Sequence, residues 1–374
     1  MGRKKIIVMV GTRSEVIKFS SIIRELKRNE NFDLKILHTG QHETGNLMEL
    51  LGLPEPDIYL GESQRKKWSK KGKIKTSFLA IKWLTGIFSS MRREIIRESP
   101  DAIFYQGNCM TVPMVVFAAK TVSKKIVLVH RESGIRTNNI LEPFLGDLWE
   151  KIGDMFGDVL FAPSKVAEEN LRKEKLKGKI YNAGDPHVEI VEYALKRGNV
   201  KESGQYVVVN VLHFENVTNE NKMKNFVEIL KRCPFKVIFP MTASVKGRLE
   251  LFGLMKELEK YPNIVLTDPY NYVDFLKLIE KCEAVLTDSG GVQQESFILK
   301  IPCIFLGKIN VWKEFEDRGI VISTGFDVKE TLRVLDEIKN KGNFYKKVKA
   351  AKYPLGDGKA TERIVKILER ELVG

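Results

Sequence analysis

Short apolar runs, separated by helix-length amphipathic stretches, restrict this 374-residue chain more than any other feature. The runs Lys5–Val10, Leu34–His38, Ala102–Tyr105, Ile126–His130 and Val159–Phe161 form one series. After a break come Tyr206–Val211, Phe235–Phe239, Ile264–Leu266, Ala284–Leu286 and Cys303–Leu306. Several are apolar at every position, as in strands covered on both faces. Over Val16–Lys27, Phe78–Ile96, Val166–Lys173, Met223–Lys231 and Val273–Lys281, apolar residues recur at helical spacing. Strand alternating with helix predicts parallel sheets joined by right-handed crossovers. The expected fold class is α/β, with two doubly wound Rossmann-like domains facing a cleft.

The break lies at 184–205, where a helical stretch gives way to a polar, glycine-containing tail. The predicted organisation is a domain at 1–185, a linker at 186–204, a second domain at 205–355 and a closing segment at 356–374. Within the last, Thr361–Val373 reads as an amphipathic helix expected to pack back towards the first domain.

No apolar run approaches the ~18 residues needed to span a bilayer. Ile6–Val10 is too short for a signal peptide. The four cysteines lie far apart and read as reduced and non-catalytic. These features predict a cytoplasmic protein. Its 62 Lys and Arg against 48 Asp and Glu give a net charge of +14. Half of that excess lies in one run, Arg65, Lys66, Lys67, Lys70, Lys71, Lys73 and Lys75, with Trp68 inside it. Such a run is either a solvated loop or a surface for anionic membrane headgroups at the inner membrane face. Nucleic acid is disfavoured as a partner because no nucleic-acid motif accompanies the charge. The helix that follows carries Phe78, Ile81, Trp83, Leu84, Ile87, Phe88 and Met91, which reads as a core stripe or as an acceptor-facing surface.

Ligands of open parallel sheets bind beyond the carboxyl ends of strands, so the residues just after strands carry the functional signal. Gly11-Thr12-Arg13 follows the first strand and opens a helix, which suits an anion. It is not a G-x-G-x-x-G sequence, which disfavours a nicotinamide or flavin dinucleotide site, and no P-loop sequence exists, which excludes a P-loop enzyme. Asp288-Ser289-Gly290-Gly291 follows another strand. Two glycines permit close approach, a helix N-terminus follows, and Ser289 adds a hydroxyl, three features that match phosphate oxygens. Glu295 lies one turn further on, placed to accept ribose hydroxyls. His213 follows the strand at Tyr206–Val211. In the first half, Gln106-Gly107-Asn108 and the polar loop His130-Arg131-Glu132-Ser133-Gly134-Ile135-Arg136 follow apolar strands. No spacing suggests a zinc site or a Ser-His-Asp triad.

Together these segments resemble the non-hydrolysing UDP-N-acetylglucosamine 2-epimerase family. The resemblance rests on Gly11-Thr12-Arg13-x-Glu15-x-Ile17-Lys18, Gly40-Gln41-His42, His130-x-Glu132-x-Gly134-x-Arg136-Thr137 and Phe161-Ala162-Pro163. It continues through Asp288-Ser289-Gly290-Gly291-x-Gln293-x-Glu295 and Gly358-Lys359-x-x-Glu362-Arg363-Ile364. It implies the GT-B architecture, with UDP held mostly by the second domain and the sugar facing the first. It also implies a UDP-sugar substrate, no separate cofactor and no metal, with a second copy of the chain as a candidate partner. The implied UDP contacts are Arg13, Lys18, His213, Ser289, Gly290, Gly291 and Glu295. The implied sugar pocket includes His42, Asn108 and Arg136, and the catalytic candidates are Glu132, His130 and Asp147.

Departures from the family pattern fall on the acid–base groups. Epimerisation at C2 eliminates UDP to a glycal and adds it back, which needs a base and an acid on opposite faces. The family's Gly-Asp-Thr reads here as Gly107-Asn108-Cys109, and its Pro-Glu-Glu-x-Asn-Arg as Leu145-Gly146-Asp147-Leu148-Trp149-Glu150. Its His-Arg-x-Glu-Asn reads as His213-Phe214-Glu215-Asn216, one residue shorter and without the arginine. Two acids are thus missing while Glu132 is kept. On this ground the sequence favours glycosyl transfer from a UDP-sugar to an anionic or lipid-linked acceptor. The alternatives are a divergent 2-epimerase interconverting UDP-GlcNAc and UDP-ManNAc, and a non-catalytic UDP-sugar-binding protein.

Overall fold

The computed structural model describes residues 2–61, 73–137, 146–202, 204–307 and 310–374, with backbone alone for 73–81. The chain divides into two compact units, Met1–Ile190 with Leu355–Gly374, and Val191–Pro354.

The first unit is built on a parallel sheet of β1 (Lys4–Val10), β2 (Phe32–His38), β3 (Ile58–Tyr59), β4 (Ala102–Gln106), β5 (Val127–Arg131), β6 (Val159–Ala162) and β7 (Lys179–Asn182). Its order is β3-β2-β1-β4-β5-β6-β7. The second unit has β8 (Tyr206–Asn210), β9 (Lys236–Pro240), β10 (Ile264–Thr267), β11 (Ala284–Thr287), β12 (Cys303–Phe305) and β13 (Val321–Ser323). They pair in parallel in the order β10-β9-β8-β11-β12-β13. Central strands are fully apolar and covered on both faces: Ile6 through Val10 and Tyr206 through Val209 are all buried. Strand order reverses between β1 and β4 and again between β8 and β11. Ligands of doubly wound sheets bind at such switch points.

The helix Arg13–Arg28 shows how sequence sets an element. Thr12 caps it, with a reciprocal capping box to Glu15, and Val16, Phe19, Ile22, Ile23 and Leu26 form its buried stripe. The closing helix Ala360–Leu372 packs on it within the same unit. Ile364, Val365 and Leu368 are buried there, Thr361 Oγ1 donates to Ser21 Oγ at 2.9 Å, and Asn29 and Asn31 both donate to Glu369 Oε1.

Several elements differ from the sequence expectation. Three edge strands, β3, β7 and β13, lie outside that expectation: β3 is two residues long, β7 has only Ile180-Tyr181 between polar residues, and β13 draws on the short run Ile320-Val321-Ile322, which the strand series omits. The 186–204 stretch contains the helix His187–Leu195, which crosses the boundary between the units. An unexpected helix, Gly146–Phe156, buries Gly146, Asp147, Glu150, Gly153 and Asp154 and leaves Leu148 and Met155 exposed.

The helix after the basic run spans Lys73–Glu98, and Ile87, Met91 and Ile95 on it join the core, with Trp83 and Phe88 packed alongside. Arg65, Lys66, Lys67, Trp68, Lys70 and Lys71 lie outside the described residues, as do the side chains of Lys73, Lys75, Phe78 and Ile81. Among the described residues no helix is long and apolar enough to cross a membrane.

Candidate functional site

In the first unit, the turn after β1 is internally satisfied. Glu15 Oε2 accepts from the Gly11 and Thr12 amides at 2.9 and 2.8 Å. Burial raises the Glu15 carboxyl, against the opposing hydrogen bonds from Thr12, Cys109 and Gly11. The anion that the sequence expects beside these two amides is therefore the chain's own carboxylate. Arg13, the first helical residue, is exposed. Cys109 is no thiolate: burial and then Glu15 push its thiol well up.

Glu132 follows β5 and is buried, with a left-handed backbone at φ +62°. Backbone conformations of this kind cost energy in a non-glycine residue and gather at functional sites. Lys18, expected on phosphate, instead pairs with Glu132, its Nζ lying 2.7 Å from Oε1 and donating to Oε2 at 2.8 Å. The Arg131 guanidinium lies 3.7 Å from Glu132 and is anchored to Gln106 at 2.6 Å and Asp185 at 2.8 Å. Gly107, at φ +68°, brings the β4 turn against this carboxylate: a Cβ there would sit 3.6 Å from Glu132 Oε2. Asn108 is the exposed tip of the same turn, and the His42 amide donates to Gly11 O at 2.8 Å. The switch point between β1 and β4 thus gathers Lys18, Glu132 and the Asn108 turn.

Behind it lies a second cluster. His130 stacks on Tyr105 with ring centres 4.8 Å apart, and its Nδ1 is 2.8 Å from Asp154 Oδ1. Gly153 makes room for the ring, since a Cβ there would meet His130 Cε1 at 2.7 Å. His130, expected as a catalytic candidate, is fully buried and clamped. Arg136, expected in the sugar pocket, is committed internally. It donates to Asp154 at 2.7 Å, to both oxygens of Glu174 at 2.9 Å, and to Ile135 O. Burial raises the Asp154 carboxyl, but His130 and Arg136 outweigh it and hold the group below its usual value. Asp147 accepts from the Thr137 amide and hydroxyl at 3.1 and 2.8 Å. Sequence reasoning missed Asp154, Glu150 and the Gln106–Arg131–Asp185 chain, because these partners lie on different elements.

In the second unit, Asp288 ties the two loops of the switch point together. It accepts from the Leu212 amide (2.9 Å), the His213 amide (3.1 Å) and Asn216 Nδ2 (2.9 Å). Ser289 caps the helix Gly290–Ile298 through a 3.5 Å bond from the Val292 amide. Ser289, Gly290 and Gly291 are half-buried, whereas Val292 through Phe297 are buried. A Cβ on Gly291 would meet nothing nearer than Ser289 Oγ at 3.9 Å, so the space immediately over that glycine is not filled by the described residues. Trp312 Nε1 donates to Gly290 O at 3.1 Å. His213 lies 3.4 Å from Glu215, and that hydrogen bond lowers the Glu215 carboxyl. Glu295 is buried beside Tyr272, whose hydroxyl is raised by burial and then by this carboxylate.

The switch points of both units therefore carry the residues singled out in the sequence, on a fold that many chemistries share. The UDP-N-acetylglucosamine 2-epimerase family model matches residues 24–369. The chain belongs to that family. A UDP-N-acetylglucosamine 2-epimerase of Methanocaldococcus jannaschii is 32% identical, over 97% of this chain and 98% of its own. One from Methanococcus maripaludis is 28% identical, over 97% and 98%. The crystal structure of the M. jannaschii epimerase in complex with UDP-GlcNAc and UDP superposes with a TM-score of 0.83 at 30% identity, covering 98% and 99% of the two chains. These likenesses support the epimerase alternative over glycosyl transfer.

Proposed function

We propose that the protein is a UDP-sugar 2-epimerase acting on UDP-GlcNAc or a close relative, with proton chemistry in the first unit and UDP contacts in the second. The observation that carries this reading is Glu132, a buried carboxylate paired with Lys18 beside the Asn108 turn. It is a base held at a switch point. Family membership supplies the reaction class: proton removal at C2 with departure of UDP, then re-addition. Ser289, Gly290, Gly291 and Glu295 are the proposed contacts for diphosphate and ribose, with Arg13 and His213 as further anion partners.

Incubation with UDP-GlcNAc in deuterated water, with UDP, UDP-ManNAc and free sugar resolved over time, tests the proposal. UDP-ManNAc carrying deuterium at C2 is expected. Free sugar or acceptor-linked sugar without UDP-ManNAc would return the reading to transfer.

The proposal extends to an anionic surface for the Arg65–Lys75 run, each basic residue being worth roughly 1 kcal/mol near anionic lipid. Co-sedimentation with anionic vesicles at low and high salt checks this. Sedimentation velocity checks for a second copy of the chain.

A further inference from the structure

The carboxyl of Glu150 has no assigned work. It sits on the inward face of the helix Gly146–Phe156, 4% exposed, and among the described residues its Oε1 has no hydrogen-bond partner. One atom each from Glu150, His130 and Asp154 lie within 4.8 Å of one another. Glu150 comes four residues after Gly146, on the same face one turn along. Helical side chains lean towards the N-terminus, so Glu150 covers the turn that begins at Gly146, where glycine has no side chain to fill the space. An acid absent at Gly146 is thereby matched by one whose carboxyl reaches the same side of the helix.

Its neighbours leave it available. Asp154 is saturated by His130, Arg136 and the Gly134 amide. Arg136, 2.7 Å from Asp154, supplies the positive charge that a cation would otherwise bring, so the cluster does not read as a metal site. An unpaired buried carboxylate would be costly, and the group keeps its proton instead. Burial, then Asp154 and Glu132, raise the Glu150 carboxyl well above its usual range, with Arg136 and Lys18 opposing. Glu132, by contrast, is paired with the Lys18 ammonium, 2.7 Å from its Oε1.

We propose that Glu150 is the second acid–base group of the epimerisation, working opposite Glu132. The inference rests on the epimerase reading above. In the forward direction Glu132 takes the C2 proton, the C–H pair becomes the C1=C2 double bond, and the C1–O bond to UDP breaks with its electrons leaving on the diphosphate. On return, Glu150 gives its proton to C2 from the other face. The double-bond pair forms the new C–H bond, and a diphosphate oxygen rebonds to C1. Glu132 is then protonated and Glu150 ionised, set for the reverse reaction, and exchange with solvent resets the pair.

The test compares wild type, Glu150→Gln, Glu150→Asp and the double variant Gly146→Glu/Glu150→Gln on UDP-GlcNAc in deuterated water, with UDP affinity and melting measured alongside. Glu150→Gln is expected to lose about 10²–10⁴-fold in UDP-ManNAc formation while keeping its UDP affinity. It should still place deuterium at C2 of UDP-GlcNAc, because Glu132 can remove and return a proton on one face, and a merely structural residue would not separate exchange from epimerisation in this way. The relocated acid in the double variant should restore about tenfold or more of the lost rate. UDP-ManNAc formation by Glu150→Gln within about threefold of wild type would overturn the proposal. If that variant does not fold, a folded double variant or Glu150→Asp with no activity would overturn it equally. Wild type that forms no UDP-ManNAc and exchanges no deuterium would instead sink the epimerase reading itself.

Discussion

The two units share one device, a strand, a glycine turn and a helix N-terminus, and employ it oppositely. After β1, the Gly11 and Thr12 amides are filled by Glu15, a carboxylate four residues on. After β11, among the described residues no carboxylate takes the amides of the corresponding turn. Asp288 reaches sideways to the β8 loop, the Ser289 amide donates to Thr287 Oγ1 at 3.0 Å, and Ser289 Oγ accepts a long bond from the Val292 amide. One turn is closed by its own carboxylate, whereas the other, partly satisfied by Thr287 and Ser289 hydroxyls, is the one proposed to take an external anion. The same local geometry therefore does not fix the same role: which amides are already satisfied decides it.

The widest separation between the units is expected from Glu132→Gln. Catalysis should fall by about 10²–10⁴-fold with UDP affinity nearly unchanged. UDP affinity lost in parallel with rate would break the division of labour. On the other side, Glu295→Ala should weaken UDP by about 1.5–3 kcal/mol, on the order of 10–100-fold, without lowering the melting temperature. Unchanged affinity in calorimetry would remove the ribose assignment. Glu15→Ala should act on stability alone. It leaves two turn amides without their acceptor, at about 1–3 kcal/mol in denaturant unfolding, with UDP affinity intact. Weaker UDP binding by that variant would place the diphosphate on the turn amides themselves, beyond the Arg13 side chain.

The smallest effect is a pH slope. The Glu150 carboxyl is raised on folding, so its favourable contribution is complete below its ordinary value of 4.5 and fades as pH rises through the folded value. Asp154 is lowered on folding, so its contribution is present above its ordinary value of 3.8 and lost as pH falls through the folded value. Glu150→Gln should therefore gain stability relative to wild type as pH rises, measured by thermal melts across the range, and a flat difference would contradict the raised carboxyl.

The central strands were legible because burial on both faces demands unbroken apolar runs, as in Ile6–Val10 and Tyr206–Val209. Edge strands were legible only in part: the run Ile264–Leu266 marks the edge strand β10, whereas Lys179–Asn182 is exposed at both ends and has only two apolar residues between them. The helix Gly146–Phe156 defeats periodicity outright. Its inward face is Gly146, Glu150, Gly153 and Asp154, while Leu148 and Met155 point outward, so a hydrophobic-face reading turns it the wrong way. Sites show the same divide. Ser289-Gly290-Gly291 is legible because its parts are consecutive. The commitment of Lys18 to Glu132 and of Arg136 to Asp154 and Glu174 joins residues 114, 18 and 38 positions apart, and no local pattern encodes such pairs.

The closing helix Ala360–Leu372 belongs to the unit that begins at β1, so the second unit is an insertion in the middle of the first. During synthesis, the whole of Val191–Pro354 is made before Ile364, Val365 and Leu368 can cover the helix Arg13–Arg28. Domains generally fold as units while the chain is made, and contacts between distant segments form late. The first-made unit therefore stays incomplete, with part of the helix Arg13–Arg28 uncovered, until the inserted unit has been made and the closing helix follows it.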